Sequence, residues 1–177
     1  MPRLRHYNHL GTGRFVTFSC FHRYQLLTTP DDMRVVLRVL STLRSKHELC
    51  ILGYVIMAEH VHLVVTIPDN VRLGSVVGEL KSCSARRVLS KWRARGSRTL
   101  PGLYRRDTDP PEYQFWQPRC YDHNCRAPET VLEKIKGCHE NPVKRGLVKA
   151  SEVWPSSSYR WHHGLAGVEL EIDGYKS

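Results

Sequence analysis

The stretch YVIMAEHVHLVV, residues 54–65, contains two apolar, β-branched runs that Ala58 and Glu59 separate. Two such runs joined by so short a connection are typical of a β-hairpin. His60 and His62 begin the second strand, and side chains two residues apart in a strand point to the same face. Val61 and Leu63 then point to the opposite face, into a core. The sequence therefore predicts two imidazoles that converge on one spot from a rigid strand.

The imidazole pair has two interpretations. Two neutral imidazoles on one face can bind a divalent metal ion. The alternative is a solvated or hydrogen-bonded strand face, which is the more frequent role of a His-x-His pattern. These residues alone leave both interpretations open.

Composition and charge indicate one domain with an acidic partner. A chain of 177 residues is long enough for one well-cored domain. The formal net charge is +10, and the stretch from Lys81 to Arg106 holds nine Lys or Arg and no Asp or Glu. A solvated helix face usually mixes both signs, so we favour contact with nucleic acid.

The cysteines and the first residues indicate a cytoplasmic protein without a membrane partner. None of the six cysteines forms a C-x-x-C pair, so we expect reduced thiols rather than a zinc site. Residues 1–6 contain no apolar leader segment, and no stretch approaches the length of a membrane span.

The order of predicted elements is β-α-β-β-α-β, followed by a further helix. These elements are a first strand over residues 15–21, a helix from Thr29 to about His47, the hairpin, a second helix from about Arg72, a strand around residues 114–117, and a third helix from Pro128. We expect the third helix to end near Asn141, because proline disfavours helical geometry in the residue before it.

This order predicts an α+β fold, a ferredoxin-like or RRM-like plait. Its antiparallel four-stranded sheet carries helices on one face, with a late helix and a C-terminal tail added. We assign residues 1–163 to a single domain and residues 164–177 to a loosely ordered tail.

Four sequence blocks resemble those of one protein family. They are similar to its VMPNHVHLLV, FWQxRxYDH, HNNPVKAGLV and WPxSSY patterns, and here they occupy residues 55–65, 115–123, 139–148 and 154–159. The family is that of the REP-associated tyrosine transposases, which are HUH single-strand DNA transposases of the insertion-sequence-200 type. The resemblance runs from about Arg14 to Arg160.

The resemblance implies a metal-dependent reaction on DNA. It implies that His60, His62 and Asn141 bind Mg²⁺ or Mn²⁺, which polarises the scissile phosphate of single-stranded DNA at REP-like hairpins. A tyrosine of the late helix would attack and remain joined to the 5′ phosphate. Lys81 and Arg119 would contact DNA together with Arg86 and Arg87 of the basic stretch, and the subgroup implies a monomer.

This chain departs from the family at the nucleophile. The family tyrosine lies four residues before the asparagine, a position that Gly137 occupies here. Tyr121 is the fallback nucleophile, although it matches a tyrosine whose simpler role is packing or DNA contact. Three hypotheses follow: a transposase-type endonuclease, a domesticated or inactive protein that binds hairpin DNA without cutting it, and a hydrolytic nuclease that uses metal-bound water.

Overall fold

The computed structural model describes residues 13–173 and contains the predicted hairpin. Strand β2 spans Cys50–Ile56 and strand β3 spans His60–Thr66, paired antiparallel with Val55 opposite His62. The Met57 N–H donates to the His60 carbonyl at 2.8 Å and closes the turn. The predicted hairpin is confirmed, so the two histidines begin a strand at the centre of the molecule. The leader prediction for residues 1–6 lies outside the described residues.

Two further strands, β1 over Gly13–Ser19 and β6 over Tyr121–Cys125, complete the main sheet. Its four antiparallel strands lie in the order β2-β3-β1-β6. The α+β fold with a four-stranded antiparallel sheet is confirmed. A separate two-stranded ribbon pairs β4, Tyr104–Arg105, with β5, Glu112–Tyr113.

The predicted position of the fourth strand is wrong. Residues 114–117 form only an isolated bridge between Trp116 and Cys20. Phe115 and Trp116 are buried in the core, and the Trp116 indole N–H donates to the Ser84 hydroxyl at 3.1 Å. Their apolar character therefore reflects core packing, and the mostly exposed residues 121–125 form the edge strand instead.

Two long helices cover one face of the sheet, as predicted. Helix α1 spans Pro30–His47, with Thr29 as its N-cap, and helix α2 spans Leu73–Ala94. Val61 and Leu63 point from β3 into the core that these helices form with the sheet. The alternation of the hairpin thus places His60 and His62 on the other face.

Helix α3 spans Pro128–Lys144 and packs on that other face. Its buried residues Val131, Ile135 and Cys138 contact Val55 and Val64 of the sheet in a second, smaller core. The prediction that the helix ends near Asn141 is wrong, because Pro142 lies inside it. The missing N–H of a proline removes a single helical hydrogen bond, and Pro142 is buried here. Asn141 therefore lies inside the helix, and its carbonyl accepts from the Arg145 N–H at 3.0 Å.

The segment after residue 163 is packed against the domain, which corrects the expectation of a loose tail for residues 164–173. Leu170 and Ile172 are buried. Asp173 accepts from the Ile51 N–H at 3.0 Å and from the Arg44 guanidinium at 2.5 Å. This segment covers the outer edge of β2, where an unpaired strand would otherwise expose its backbone groups. Residues 174–177 of the predicted tail lie outside the described residues.

The remaining elements are short. Helix α4 spans Tyr159–His162, and single 3₁₀ turns occupy Phe21–Arg23, Leu100–Leu103 and Ser151–Val153. Among residues 13–173, no helix is both long enough and apolar enough to span a bilayer.

Candidate metal and nucleic-acid site

The two imidazoles meet edge to edge on the α3 side of the sheet. The Nε2 atoms of His60 and His62 lie 3.0 Å apart, and the His60 residue is only 3% exposed. The convergence of the rings that the strand pattern predicted is confirmed. Both Nε2 atoms are turned toward one point between β3 and α3.

Each imidazole is also positioned by a hydrogen bond at its Nδ1 atom. The Glu59 carboxylate lies 2.9 Å from His60 Nδ1, and the Thr17 hydroxyl lies 2.7 Å from His62 Nδ1. A carboxylate only accepts, so His60 carries its proton on Nδ1 and presents a lone pair at Nε2. The Thr17 hydroxyl can accept in the same way from His62. Hydrogen bonds of this kind orient histidines that bind metal ions.

Helix α3 brings a third polar group to the same point. The Asn141 amide nitrogen lies 3.1 Å from His62 Nε2, although 79 residues separate the two in sequence. The Asn141 Oδ1 is buried and has no hydrogen-bond partner. An unpaired buried carbonyl costs about 1–3 kcal/mol, and a half-turn of the amide exchanges its two ends. Two imidazole nitrogens and one amide oxygen therefore fit a divalent cation.

Burial keeps both imidazoles neutral. Burial, together with the neighbouring His60, lowers the pKa of His62 to about 3. The pKa of His60 is also lowered by burial, while the Glu59 carboxylate opposes that shift. The imidazoles thus stay in the uncharged form that binds metal ions at neutral pH.

The position that holds the nucleophilic tyrosine in the family carries no reactive side chain here. Gly137 lies one helical turn before Asn141, and a Cβ built there meets no atom within 4 Å. The adjacent Cys138 does not replace a tyrosine, because it is buried in the second core and burial raises its pKa to about 12.

Tyr121 shares the face of the sheet with the imidazoles. Thr17 is paired with His62 on one side and with Tyr121 on the other, and directly paired residues point to the same face. The Tyr121 ring packs edge-on against Phe15 at 6.5 Å, and Phe15 stacks on His62 at 5.4 Å. Tyr121 is 59% exposed. Its phenol is therefore accessible beside the site, two strands away from His62.

A groove that we call the site groove runs from Thr17 past Ser19 and Tyr121, with Arg23 and Arg119 in its walls. The Lys81 ammonium donates to the carbonyl of Pro118, which also lines this groove, at 3.0 Å. The structure thus brings two of the four predicted DNA-binding residues, Lys81 and Arg119, to the groove beside the imidazoles.

The other two predicted DNA-binding residues lie elsewhere. Arg86 and Arg87 are on α2, which packs on the opposite face of the sheet. Arg86 lines a separate groove with Arg93 and Tyr113. Within residues 13–173, no hydrogen bond or ion pair links Arg86 or Arg87 to the imidazole pair. A role for them in DNA binding stays a prediction about that second surface.

Three residues near the imidazoles could not be identified from sequence patterns. Thr17 positions His62, Arg145 lies 3.5 Å from the Glu59 carboxylate, and Arg23 lines the site groove. The positive charges of Arg23 and Arg145 also lower the pKa of His62. Arg145 falls in the third family block, but the sequence carries no signal for its contact with Glu59.

Comparisons with known proteins connect this geometry to one family. A family model described as "Transposase IS200 like" matches residues 14–106. The REP-associated tyrosine transposase of Escherichia coli is 27% identical over 169 residues, which cover 96% of this chain and 87% of that protein. A putative REP-associated tyrosine transposase of Haemophilus influenzae is 27% identical over 105 residues, which cover 59% of this chain and 55% of that protein.

A solved structure shows the same architecture. It is that of a REP-associated tyrosine transposase bound to a REP hairpin, with a TM-score of 0.63 and 25% sequence identity. The match covers 98% of this chain and 93% of the other.

Proposed function

This chain belongs to the IS200-like transposase family, as its four sequence blocks predicted, and on that premise we propose that it binds hairpin DNA with a divalent cation between protein and phosphate. The proposed ligands of Mg²⁺ or Mn²⁺ are His60, His62 and Asn141. One observation carries the proposal: two imidazole Nε2 atoms converge on one point with the amide group of Asn141, whose oxygen is buried and unpartnered.

The surroundings of these three residues support a cation. Glu59 and Thr17 occupy the Nδ1 atoms, which leaves both Nε2 atoms to face the shared point. The imidazoles are neutral because they are buried. A cation bound there would stabilise negative charge on the oxygens of a DNA phosphate.

The charge around the site groove supports DNA as the partner. Arg23 and Arg119 line the groove that begins at Thr17, and Lys81 contacts its wall at the Pro118 carbonyl. The whole chain carries a net charge of +10. Positive side chains along a groove bind the phosphates of a strand and make affinity depend on salt. The similar solved protein is bound to a REP hairpin, which makes hairpin DNA the best candidate ligand. Such a protein would act in the cytoplasm, at the nucleoid.

Gly137 favours binding without strand cleavage by the family tyrosine, since this position has no group that could attack. The second candidate function is strand nicking through Tyr121, which the shared sheet face and the exposed phenol favour. In that reaction the phenol oxygen would bond to phosphorus while the bond to the 3′ oxygen breaks. The phenolic proton would leave to solvent, and the 3′ oxygen would take up a proton to become a free hydroxyl.

Calorimetric titration with Mn²⁺, in the presence of hairpin DNA, tests the cation site. We expect uptake by the native chain and its loss in His60→Ala, His62→Ala and Asn141→Ala. His123→Ala is the matched control, because His123 lies on the same face of the sheet, on β6 opposite Phe15, and among residues 13–173 no hydrogen bond joins it to His60, His62 or Asn141. Equal loss in the control, or no uptake by the native chain, would contradict the proposal.

Denaturing gels of hairpin DNA incubated with Mn²⁺ separate the possible reactions. An adduct that disappears in Tyr121→Phe would establish nicking through Tyr121. Cut DNA without attached protein would indicate hydrolysis, and intact DNA would indicate binding alone. An adduct formed only by Gly137→Tyr would show that the scaffold is competent and that the loss is local.

A further inference from the structure

Arg145, at the end of α3, has no role in the proposed function but lies beside the cation site. It follows Asn141 by four residues, so the two side chains lie on the same face of the helix, one turn apart. Asn141 meets His62 from this face. The Arg145 guanidinium lies 3.5 Å from the Glu59 carboxylate, which in turn contacts His60. Arg145 is therefore directed toward the strand that carries the imidazoles.

The backbone around Arg145 is fixed by a Schellman motif at the end of the helix. The Gly146 N–H donates to the Val143 carbonyl at 2.9 Å, and the Leu147 N–H donates to the Pro142 carbonyl at 3.0 Å. Gly146 has a φ of 69°, which this motif requires of the residue after the C-cap. The position of Arg145 relative to the Asn141 ligand is thus set by the backbone.

The ion pair with Glu59 uses only part of the guanidinium. The contact joins one nitrogen of Arg145 to one oxygen of Glu59, and the same oxygen contacts His60 Nδ1 at 2.9 Å. Among residues 13–173, Arg145 makes no other ion pair and no side-chain hydrogen bond. Its side chain is 49% exposed. An arginine carries five N–H donors, so several of them remain available to a ligand that approaches from solvent.

The charges at this end of α3 favour an anion. The three proposed ligands are uncharged, so a bound divalent cation keeps its full charge, while Glu59 and Arg145 balance each other. Glu140 is the nearest other carboxylate along the helix, and it pairs with Lys144 at 2.7 Å and with Lys136 at 3.6 Å. A phosphate at the cation site would therefore meet net positive charge.

Arginine has the chemistry that this position requires. Its planar guanidinium binds phosphate through two parallel hydrogen bonds. In addition to burial, the charge of Arg145 lowers the pKa of both His60 and His62, so its electrostatic field extends to the imidazoles. One helical turn, about 6 Å along the axis, separates Arg145 from Asn141. A strand with a phosphate at the cation would pass within reach of this guanidinium.

A purely structural role is the alternative. A positive charge near the end of a helix interacts favourably with the helix dipole, and an exposed ion pair stabilises a fold weakly. Lys144 already supplies such a charge without contacting the hairpin turn. The patterns of the family have asparagine at position 59 and alanine at position 145, so the Glu59–Arg145 pair is a feature of this chain.

We propose that Arg145 binds a phosphate of the DNA strand directly beside the cation site. One guanidinium nitrogen keeps its contact with Glu59, and the others donate to the phosphate oxygens. This inference rests on the proposed function, since it requires DNA at the cation site.

Fluorescence anisotropy across a salt series tests the inference with a labelled DNA hairpin that carries a single-stranded extension on each side of its stem, at saturating Mn²⁺. Arg145→Gln should weaken binding by about 5- to 30-fold at low salt, because a charge-assisted hydrogen bond is lost. It should also reduce the slope of log affinity against log salt by about 0.7–0.9, the value for one phosphate contact. Arg145→Lys keeps the charge and should retain the native slope.

Lys144→Gln is the matched control. It removes the same charge from the adjacent residue, whose ammonium pairs with Glu140 instead of Glu59. Because solvent and salt screen an exposed charge that contacts no phosphate, hairpin affinity should change by less than about 2-fold. Circular dichroism of each variant checks that it is folded.

The double variant Glu59→Gln/Arg145→Gln separates a phosphate contact from a positioning role. If Arg145 binds phosphate itself, Arg145→Gln should weaken hairpin binding by a similar factor in the native chain and in Glu59→Gln. If the effect disappears in the Glu59→Gln background, Arg145 acts only through that carboxylate and the inference is wrong.

The remaining outcomes distinguish this inference from the proposed function. If the native chain binds no hairpin, the proposed function fails. If the native chain binds the hairpin but Arg145→Gln leaves affinity and salt slope unchanged, or if Lys144→Gln weakens binding equally, the hairpin site stands and Arg145 is not a phosphate contact.

Discussion

Helix α3 lies between two groups of buried histidines, and only one of them has the geometry of a metal site. His60 and His62 face Asn141 on one side of the helix, whereas His139 on the other side lies near His162. Burial lowers the pKa of both His62 and His139 to about 3. A lowered pKa alone therefore does not distinguish a ligand from a packed histidine.

Hydrogen bonding makes the difference between the groups. His139 Nε2 pairs with the Ser158 hydroxyl at 2.9 Å, and His162 Nε2 donates to the Leu52 carbonyl at 3.0 Å. Around His62, the Nδ1 atoms are occupied, while both Nε2 atoms and the Asn141 amide group, whose oxygen is unpartnered, meet at one point. Converging imidazole nitrogens beside an unpartnered amide oxygen thus indicate a cation site, whereas imidazoles paired with a hydroxyl or a backbone carbonyl indicate a structural role.

The largest expected effect comes from replacing one histidine of each group by alanine, in separate variants. His62→Ala should lower Mn²⁺ affinity by at least about 100-fold, since a direct ligand matters more than its neighbours. His139→Ala should leave Mn²⁺ affinity unchanged and lower the free energy of unfolding by about 1–3 kcal/mol, because it removes a buried hydrogen bond. Calorimetry and urea unfolding measure the two effects, and the reverse pattern would contradict the assignment.

Glu59→Gln tests whether the orienting carboxylate matters at the cation site. The amide can turn a donor toward His60 Nδ1, which weakens the hold on the metal-binding tautomer, so Mn²⁺ affinity should fall by about 10- to 100-fold. Ser158→Ala, which removes the corresponding partner of His139, should leave that affinity intact. An equal fall in both variants would show a general loss of structure.

Acid should destabilise the fold through both groups. In the unfolded chain these imidazoles take up a proton below about pH 6.5, whereas burial keeps His62 and His139 neutral in the folded chain down to about pH 3. Their stabilising contribution is thus complete above pH 6.5 and is lost as the pH falls toward 3. Urea midpoints between pH 7 and pH 4 should fall in the native chain and fall less steeply in His139→Gln.

The smallest effect concerns Gly137, which lies on α3 between the groups. Gly137→Ala should raise the free energy of unfolding by about 0.5–1 kcal/mol, because alanine favours the helix and its Cβ meets no atom within 4 Å. Gly78→Ala in α2 has the same open surroundings and should give a similar gain. A loss of Mn²⁺ affinity in Gly137→Ala, absent from Gly78→Ala, would indicate that the glycine itself serves the site.

Local pattern predicted the elements with strong hydrophobic periodicity and missed the fourth strand. The hairpin and the start of α1 were predicted because alternation and an N-cap are local signals. Residues 121–125 lack an apolar alternation, since they form an exposed edge strand. Phe115 and Trp116 have the apolar character of a buried strand, but they pack in the core outside the sheet. The end of α3 was misplaced because burial of Pro142 outweighs its local preference.

The amino-acid sequence was sufficient to predict that two imidazoles share one strand face, that the chain resembles this transposase family, and that position 137 lacks a nucleophile. Three features became visible only in the folded chain: the contact of Asn141 with His62, the hydrogen bonds of Thr17 and Glu59 to the imidazole Nδ1 atoms, and the ion pair of Arg145 with Glu59. The physical reason is range: side-chain alternation follows from neighbouring residues, whereas contacts across 79 residues depend on strand register and on how α3 packs against the sheet.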